Sequence, residues 1–179
     1  FIMDTFETES EVNNALLGGF FAGGLVEETL KFLVLYFYIL KEKAFNEPMD
    51  AIVYGTVVSL GFATLENYDY VYRLAEYYGM KPIDMAYARS YSAIPLHALC
   101  GVIMGFYFGM YAFVSGGKNL SLALIVPYII HGSYNFLVSF PYYYYLGVLI
   151  IALIFSIFLY KNVRDSQKLK KNEHEKKVI

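Results

Sequence analysis

The stretch "GGLVEETLKFLVLYFYIL", residues 23–40, places Glu27, Glu28 and Lys31 inside a run that otherwise has the composition of a membrane span. The fourteen Leu, Ile, Val and Phe residues of the run 15–40 favour insertion by about 4–8 kcal/mol, whereas each central charge costs about 2.5–3.5 kcal/mol. Lys31 follows Glu27 by four residues and Glu28 by three, so one helical face carries all three charges. Because lipid offers these groups no partner, we expect that face to line a polar site inside the protein.

The composition of the whole chain is that of a membrane protein. Of its 179 residues, 58% are hydrophobic and 17% are charged, and its 19 Tyr and 15 Phe suit membrane interfaces. A helix needs about 20 apolar residues to cross the hydrocarbon, and five stretches are long enough. We therefore predict an all-α integral membrane protein, a bundle of about five transmembrane helices with a polar site between the first four. The predicted spans are residues 15–40, 51–72, 91–114, 120–139 and 143–160.

The distribution of charge predicts the orientation of the chain. Residues 161–179 are rich in Lys and Arg, so the positive-inside rule makes them a basic cytoplasmic tail, which continues the last helix into water and then becomes disordered. Residues 15–160 form the transmembrane core, and the acidic segment 1–14 is extracytoplasmic. Segment 73–90 is predicted to be an outer loop with interfacial helical turns and with Arg89 on its surface. Because the sequence does not begin with Met, we expect a preceding part of the protein.

Two kinds of site are excluded by residue content. The single cysteine, Cys100, rules out an internal disulfide framework and a cysteine-based metal site. The net charge is -2, and the basic residues concentrate near the C-terminus instead of forming a patch of groove size. No nucleic-acid partner is therefore expected.

Each of the next three predicted spans also contains polar residues that are costly in a membrane. "GFATLENYDY" holds Glu66 and Asn67, "PLHALCG" holds His97, and "IIHGSYN" holds His131 and Asn135. At about 1.5 Å of rise per residue, all of them fall in the middle or outer half of the bilayer, at the level of the charges in the first span. The sequence therefore predicts that acids from the first two spans and imidazoles from the next two share one pocket.

Structural roles are the alternative for each group taken alone. The charges of the first span can form an ion pair, and a single histidine is often a hydrogen-bonded core residue. Asn67 and Asn135 can hold helices together through interhelical hydrogen bonds. The agreement in depth between four helices favours a functional site over these separate roles.

Four short motifs follow one another along residues 27–135, each in its own predicted span. They are "EETLK" (Glu27, Glu28, Lys31), "FATLEN" (Phe62, Glu66, Asn67), "HALCG" (His97, Gly101) and "HGSYN" (His131, Gly132, Asn135). This series resembles the EExxK, FxxxEN, HxxxG and HGxxN motifs of PrsW-type intramembrane proteases. That family resembles, more distantly, the type II CAAX prenyl endopeptidases of the Abi/CPBP superfamily.

The resemblance implies an intramembrane endopeptidase in a prokaryotic plasma membrane. It implies cleavage of a membrane-anchored, single-span protein, such as an anti-sigma factor, on the extracytoplasmic side. It also implies additional helices before the first predicted span. The depth of the polar residues independently points to the outer half of the membrane.

The polar residues contain no Ser–His or Cys–His pair that the sequence singles out, which disfavours covalent catalysis. We therefore hypothesise that Glu28, assisted by Glu27, activates a water molecule as general base. By similarity to the HxxxN element of the prenyl endopeptidases, His131 and Asn135 would hold the oxyanion, while His97 would position water or donate a proton. The predicted catalytic residues are Glu27, Glu28, Glu66, His97, His131 and Asn135, with Lys31 and Asn67 in supporting roles.

Two alternatives remain open. Glu28, Glu66, His97 and His131 can bind Zn²⁺, but the two histidines at i and i+4 that mark many zinc proteases are absent, which favours chemistry without a cofactor. Buried Glu, His and Lys also serve proton-coupled transporters, although the inverted repeats typical of that class are not visible in the sequence.

Overall fold

The computed structural model describes residues 10–114, 116–141 and 143–178, with side chains described to residue 169. These residues form helices and turns, and no strand occurs among them. Residues 1–9, which include most of the predicted extracytoplasmic segment, lie outside the described part. The helices are α1 (Glu11–Leu16), a π-helix (Leu17–Leu25), α2 (Val26–Phe37), a short 3-10 helix (Ile39–Lys41), α3 (Pro48–Asp69), a second π-helix (Tyr70–Leu74), α4 (Pro82–Tyr91), α5 (Ala93–Phe113), α6 (Lys118–Val138) and α7 (Tyr145–Val178).

Four helices are long and apolar enough to cross a membrane, which confirms the predicted all-α membrane class. The first predicted span is also helical, from Glu11 to Phe37, but it contains both glutamates and the lysine of the opening stretch and is not one of the four. The predicted number of about five spans is therefore approximate. The four are Pro48–Leu74, Pro82–Phe113, Lys118–Val138 and Tyr145–Leu169.

Two details of the predicted topology are wrong. Segment 73–90 is not mainly a loop, because α4 begins at Pro82 and is separated from α5 only by Ser92, whose backbone leaves helical geometry. Arg89 is buried inside the bundle, with 8% of its surface exposed. The tail continues the last helix, which extends to Val178.

Glycines bring the helices of the site into close contact. On α5, Gly101 and Gly105 face Gly55 of α3, and a Cβ built on Gly101 would lie 2.6 Å from the Gly55 carbonyl oxygen. The first π-helix approaches α6 in the same way, since a Cβ on Gly24 would lie 3.1 Å from the Gly132 Cα. Small residues allow such approaches in membranes, where close van der Waals packing drives helix association.

A methyl group at Gly105 is expected to destabilise the bundle. Its Cβ would lie 2.6 Å from the Ile52 Cα and closer still to the Ala51 carbonyl oxygen, and backbone atoms cannot move aside. Overpacking of this kind costs about 1–3 kcal/mol, so we expect Gly105→Ala to lower the free energy of unfolding in mixed micelles by that amount. Gly61→Ala is the matched control, because no atom lies within 4 Å of its Cβ. Equal effects of the two substitutions would contradict this account of the helix contact.

Candidate active site

A fully buried ion pair lies at the centre of the polar cluster. The Lys31 Nζ donates to the Glu28 Oε1 at 2.6 Å, and both side chains are shielded from solvent. The same carboxylate oxygen lies 2.7 Å from the Nδ1 of His131, which comes from α6. One oxygen of Glu28 is therefore shared by a lysine on its own helix and a histidine on another.

Lys31 links this ion pair to α5. Its Nζ lies 2.9 Å from the Nδ1 of His97, 3.6 Å from the Oε2 of Glu27 and 5.7 Å from the centre of the Phe62 ring. Because an ammonium group can only donate hydrogen bonds, the Nδ1 of His97 must accept. Lys31 therefore fixes the Nδ1 of His97 as a hydrogen-bond acceptor.

The second ring nitrogen of His97, Nε2, contacts a residue of α3. The His97 Nε2 lies 2.8 Å from the Glu66 Oε2, and the Arg89 Nη2 donates to the same oxygen at 2.5 Å. The Arg89 Nε donates to the Oδ1 of Asn67, and its guanidinium lies 4.0 Å from the centre of the Tyr70 ring. Side chains from α2, α3, α4, α5 and α6 thus form one connected polar network.

Glu27 differs from the fully buried Glu28 in being partly exposed. Its side chain is 20% exposed, and its Oε2 is buried without a hydrogen-bond partner among the described residues. The rings of His97 and His131 stand edge to face, with centroids 5.0 Å apart. One ligand atom each of Glu27, His97 and His131 lies within 4.8 Å of the other two. A carboxylate and two imidazoles therefore converge on one point.

This convergent set fits a divalent metal ion in donor type and spacing. One carboxylate and two histidines are ligands of catalytic zinc sites. A histidine that binds a metal through one ring nitrogen usually hydrogen-bonds a carboxylate through the other nitrogen. The contact between the His131 Nδ1 and the Glu28 carboxylate is of this kind. The set differs from the predicted zinc ligands because it uses Glu27 and neither Glu28 nor Glu66. Those two carboxylates are already engaged by Lys31 and by an arginine, respectively.

The structure brings together seven of the eight predicted site residues. Asn135 is set apart: its amide nitrogen lies beside Gly23, where a Cβ would come within 2.5 Å of it. No hydrogen bond joins the Asn135 side chain to the network within the described part of the chain. The seven connected residues are Glu27, Glu28, Lys31, Glu66, Asn67, His97 and His131.

Sequence reasoning missed Arg89. The residue stands eight positions before His97, in a Tyr-rich segment whose mixed charge suggested an exposed loop. A signal was present in Pro82, which is typical of the first turn of a helix and begins one that leads almost directly into α5. An arginine at the end of such a helix can extend its side chain toward the polar residues between the helices.

The chain has relatives among characterised membrane proteins. A family described as PrsW family intramembrane metalloprotease matches residues 1–160. Protease PrsW of Bacillus subtilis is 38% identical over 142 residues, 78% of this chain and 62% of that protein. Protease PrsW of Geobacillus kaustophilus is 37% identical over 86% of this chain and 67% of its own length, and that of Clostridioides difficile is 32% identical over 98% and 71%.

The matches leave part of these relatives uncovered. The chain spans 62% of the length of the Bacillus subtilis protein. No solved structure matches the chain significantly.

Proposed function

Because the chain belongs to the PrsW family of intramembrane proteases, we propose that it hydrolyses a peptide bond of a membrane-anchored protein. The observation that carries this proposal is the convergence of Glu27, His97 and His131 between helices of a multi-pass membrane protein. Hydrolysis of an amide needs an activated water molecule, a proton donor and an oxyanion partner. A free carboxylate oxygen and two imidazoles supply groups suited to these tasks.

Glu27 is the better candidate for the general base. The sequence favoured Glu28, but the Oε1 of that residue accepts from both Lys31 and His131, and the side chain is inaccessible. The Oε2 of each acid lacks a hydrogen bond among the described residues, but only the side chain of Glu27 is partly exposed. A general base must reach its water molecule, so the exposure of the side chain supports Glu27. Glu28 would instead orient the ring of His131.

The two histidines are proposed to have different roles. The Nδ1 of His131 lies against the Oε1 of Glu28, which orients the ring and leaves its Nε2 to exchange a proton with the reacting groups. Both nitrogens of His97 are engaged by Lys31 and Glu66, so this ring orients the groups around the water. Asn135, one turn after His131, would reach the oxyanion by moving its amide away from Gly23.

The substrate is proposed to be a single-span membrane protein cut in the outer half of the bilayer. Glu66 lies near the end of α3 and His97 near the start of α5, so the cluster lies toward one end of the bundle. The positive-inside rule predicts that this end is extracytoplasmic, because the opposite ends of the helices lead to Lys41, Lys118 and the basic tail.

The experiment that tests this function uses the purified chain in detergent with single-span reporter proteins. We expect fragments whose new termini, located by mass spectrometry, lie within or beside the reporter's hydrophobic segment. Cleavage should disappear in Glu27→Gln. Fragments that persist in that variant, or the absence of cleavage of any single-span reporter, would contradict the proposal.

A metal-dependent protease is the second candidate, favoured by the three convergent ligand atoms and by the description of the family as metalloproteases. Glu27, His97 and His131 would hold the ion, and His97 would have to give up its contact with Lys31 or with Glu66 to do so. Bound zinc supplies an activated water molecule and polarises the carbonyl. The ammonium group of Lys31, 2.9 Å from the His97 Nδ1, already places a positive charge beside these groups and supports the metal-free proposal.

We expect cleavage to continue after dialysis against a chelator, with less than one equivalent of metal bound per chain by elemental analysis. The physical reason is that Glu27 and the two histidines suffice for acid–base chemistry. Loss of cleavage that is restored by Zn²⁺, together with about one bound ion per chain that Glu27→Gln abolishes, would establish the metal-dependent alternative.

A further inference from the structure

Arg89 is the buried cation that neither the predicted site nor the motif series contains. It extends from the end of α4 to two neighbouring residues of α3, with its Nη2 on Glu66 and its Nε on Asn67. Its guanidinium also lies over the ring of Tyr70. A buried arginine with three partners is held in one orientation, and its planar group fixes the plane of the carboxylate that it binds.

We propose that Arg89 is a positioning residue that sets the tautomer and orientation of His97 through Glu66. The Oε2 of Glu66 receives the guanidinium and the His97 Nε2 at once, so the arginine determines where this oxygen lies. The consequence for cleavage rests on the proposed protease function. The effect of Arg89 on the tautomer and orientation of His97 does not depend on that function.

The hydrogen-bond partners define the protonation pattern of His97. Lys31 can only donate, so the Nδ1 of His97 accepts, and the hydrogen of the neutral ring resides on Nε2, where Glu66 accepts it. Without Arg89, the carboxylate of Glu66 would lose the group that fixes its position. The Nε2 would then lose a defined acceptor, and the ring could turn or exchange tautomers.

The planar guanidinium of Arg89, which forms a fork of two donor nitrogens, explains why a lysine would not replace it. Its two contacts go to side chains at consecutive positions of α3, and both use nitrogens of one rigid plane. A lysine supplies one point charge and no plane. Arg89→Lys should therefore keep the ion pair with Glu66 and lose part of the orientation.

Arg73 provides a matched control on the same side of the bundle. Its Nη1 pairs with the Asp69 Oδ1 at 2.9 Å, but its side chain is 71% exposed and makes no contact with the site among the described residues. Arg73→Gln removes the same charge as Arg89→Gln. Exposed pairs of this type contribute little to stability.

The test is a ¹⁵N spectrum of the histidine rings in detergent micelles, which is simple because the chain has three histidines. His97→Gln assigns the signals. We expect the wild-type protein to show His97 with a protonated Nε2 and an unprotonated Nδ1. Arg89→Gln should shift these signals or average them between tautomers, Arg89→Lys should shift them less, and Arg73→Gln should leave them unchanged. Unchanged His97 signals in Arg89→Gln would overturn the proposal.

Kinetics on a cleaved single-span reporter provide the second measurement. Misplacement of a group in an active site by about 1 Å can cost about 100-fold in rate, and we expect Arg89→Gln to lower kcat by up to about that factor with KM nearly unchanged. A rise in KM alone would contradict a positioning role. If no reporter is cleaved by the wild-type protein, the protease function fails, while the ¹⁵N spectrum still decides whether Arg89 controls His97.

A second variant covers the case in which Arg89→Gln does not fold. Asn67→Ala removes one of the two contacts of the guanidinium and leaves Glu66 and His97 in place. We expect a smaller shift of the same His97 signals. No shift in this folded variant would overturn the proposed dependence on the fork.

Discussion

Glu27→Gln is expected to lower kcat for cleavage of a single-span reporter by about 10²- to 10⁴-fold, the usual contribution of a general base. The amide that replaces the carboxylate has nearly the same size, and the Oε2 that it alters makes no hydrogen bond among the described residues. The variant should therefore keep its melting temperature in detergent while losing turnover. Both quantities are measured on the same purified sample.

Glu76→Gln is the control for this prediction. Glu76 is exposed in the turn after the second π-helix, and its side chain makes no ion pair with a site residue within the described part of the chain. It loses the same charge, so a general effect of charge on substrate binding would appear in both variants. Turnover of Glu27→Gln near the wild-type rate would remove Glu27 from the mechanism.

Glu28→Gln is expected to have the opposite profile, with a large loss of stability. It leaves the buried Lys31 with only the more distant carboxylate of Glu27, at 3.6 Å, and it removes the anionic partner of the His131 Nδ1. Breaking one side of a buried ion pair costs about 3–5 kcal/mol, because the remaining charge is uncompensated. The measurement is the free energy of unfolding in mixed micelles, with Glu27→Gln at the adjacent position as the reference.

A double variant separates the ion pair from other effects at this position. In Glu28→Gln with Lys31→Met, both charges of the fully buried pair are absent, so part of the lost stability should return. If the single variant is as stable as Glu27→Gln, the pair at the centre of the site does not hold the bundle together. Loss of cleavage in Glu28→Gln would then need another explanation.

The sequence was sufficient to predict the long apolar helices and the convergence of seven polar residues, but not α4. Apolar stretches of about 20 residues have few other solutions in a membrane, and charges such as Glu28 and Lys31 must face protein. Hydropathy cannot show which of two adjacent glutamates pairs with the lysine, because spacings of three and four both allow contact. The fully buried glutamate makes the pair, and this tertiary detail changes the assignment of the base.

The sequence did not predict the buried position of Arg89, for a related reason. Mixed charge and aromatic residues are typical of both an interfacial loop and an amphipathic helix that lies against the bundle. Only the contacts with Glu66 and Asn67 distinguish the two. The departure of Asn135 from the cluster is likewise a matter of side-chain orientation, which periodicity does not specify.

The π-helix Leu17–Leu25 has a consequence for how this segment tolerates changes of length. Gly19 and Gly24 are five residues apart, and both lie against α6 because the i→i+5 hydrogen bonding of a π-helix brings such residues closer to one face, whereas an α-helix would separate them by about 140°. Removing one residue here without a change of winding would rotate the following acids, relative to α6, by the turn that one residue makes about the helix axis. Chimeras with related proteins must therefore preserve the number of residues between the glycines and the two acids, even where every exchanged residue is equally apolar.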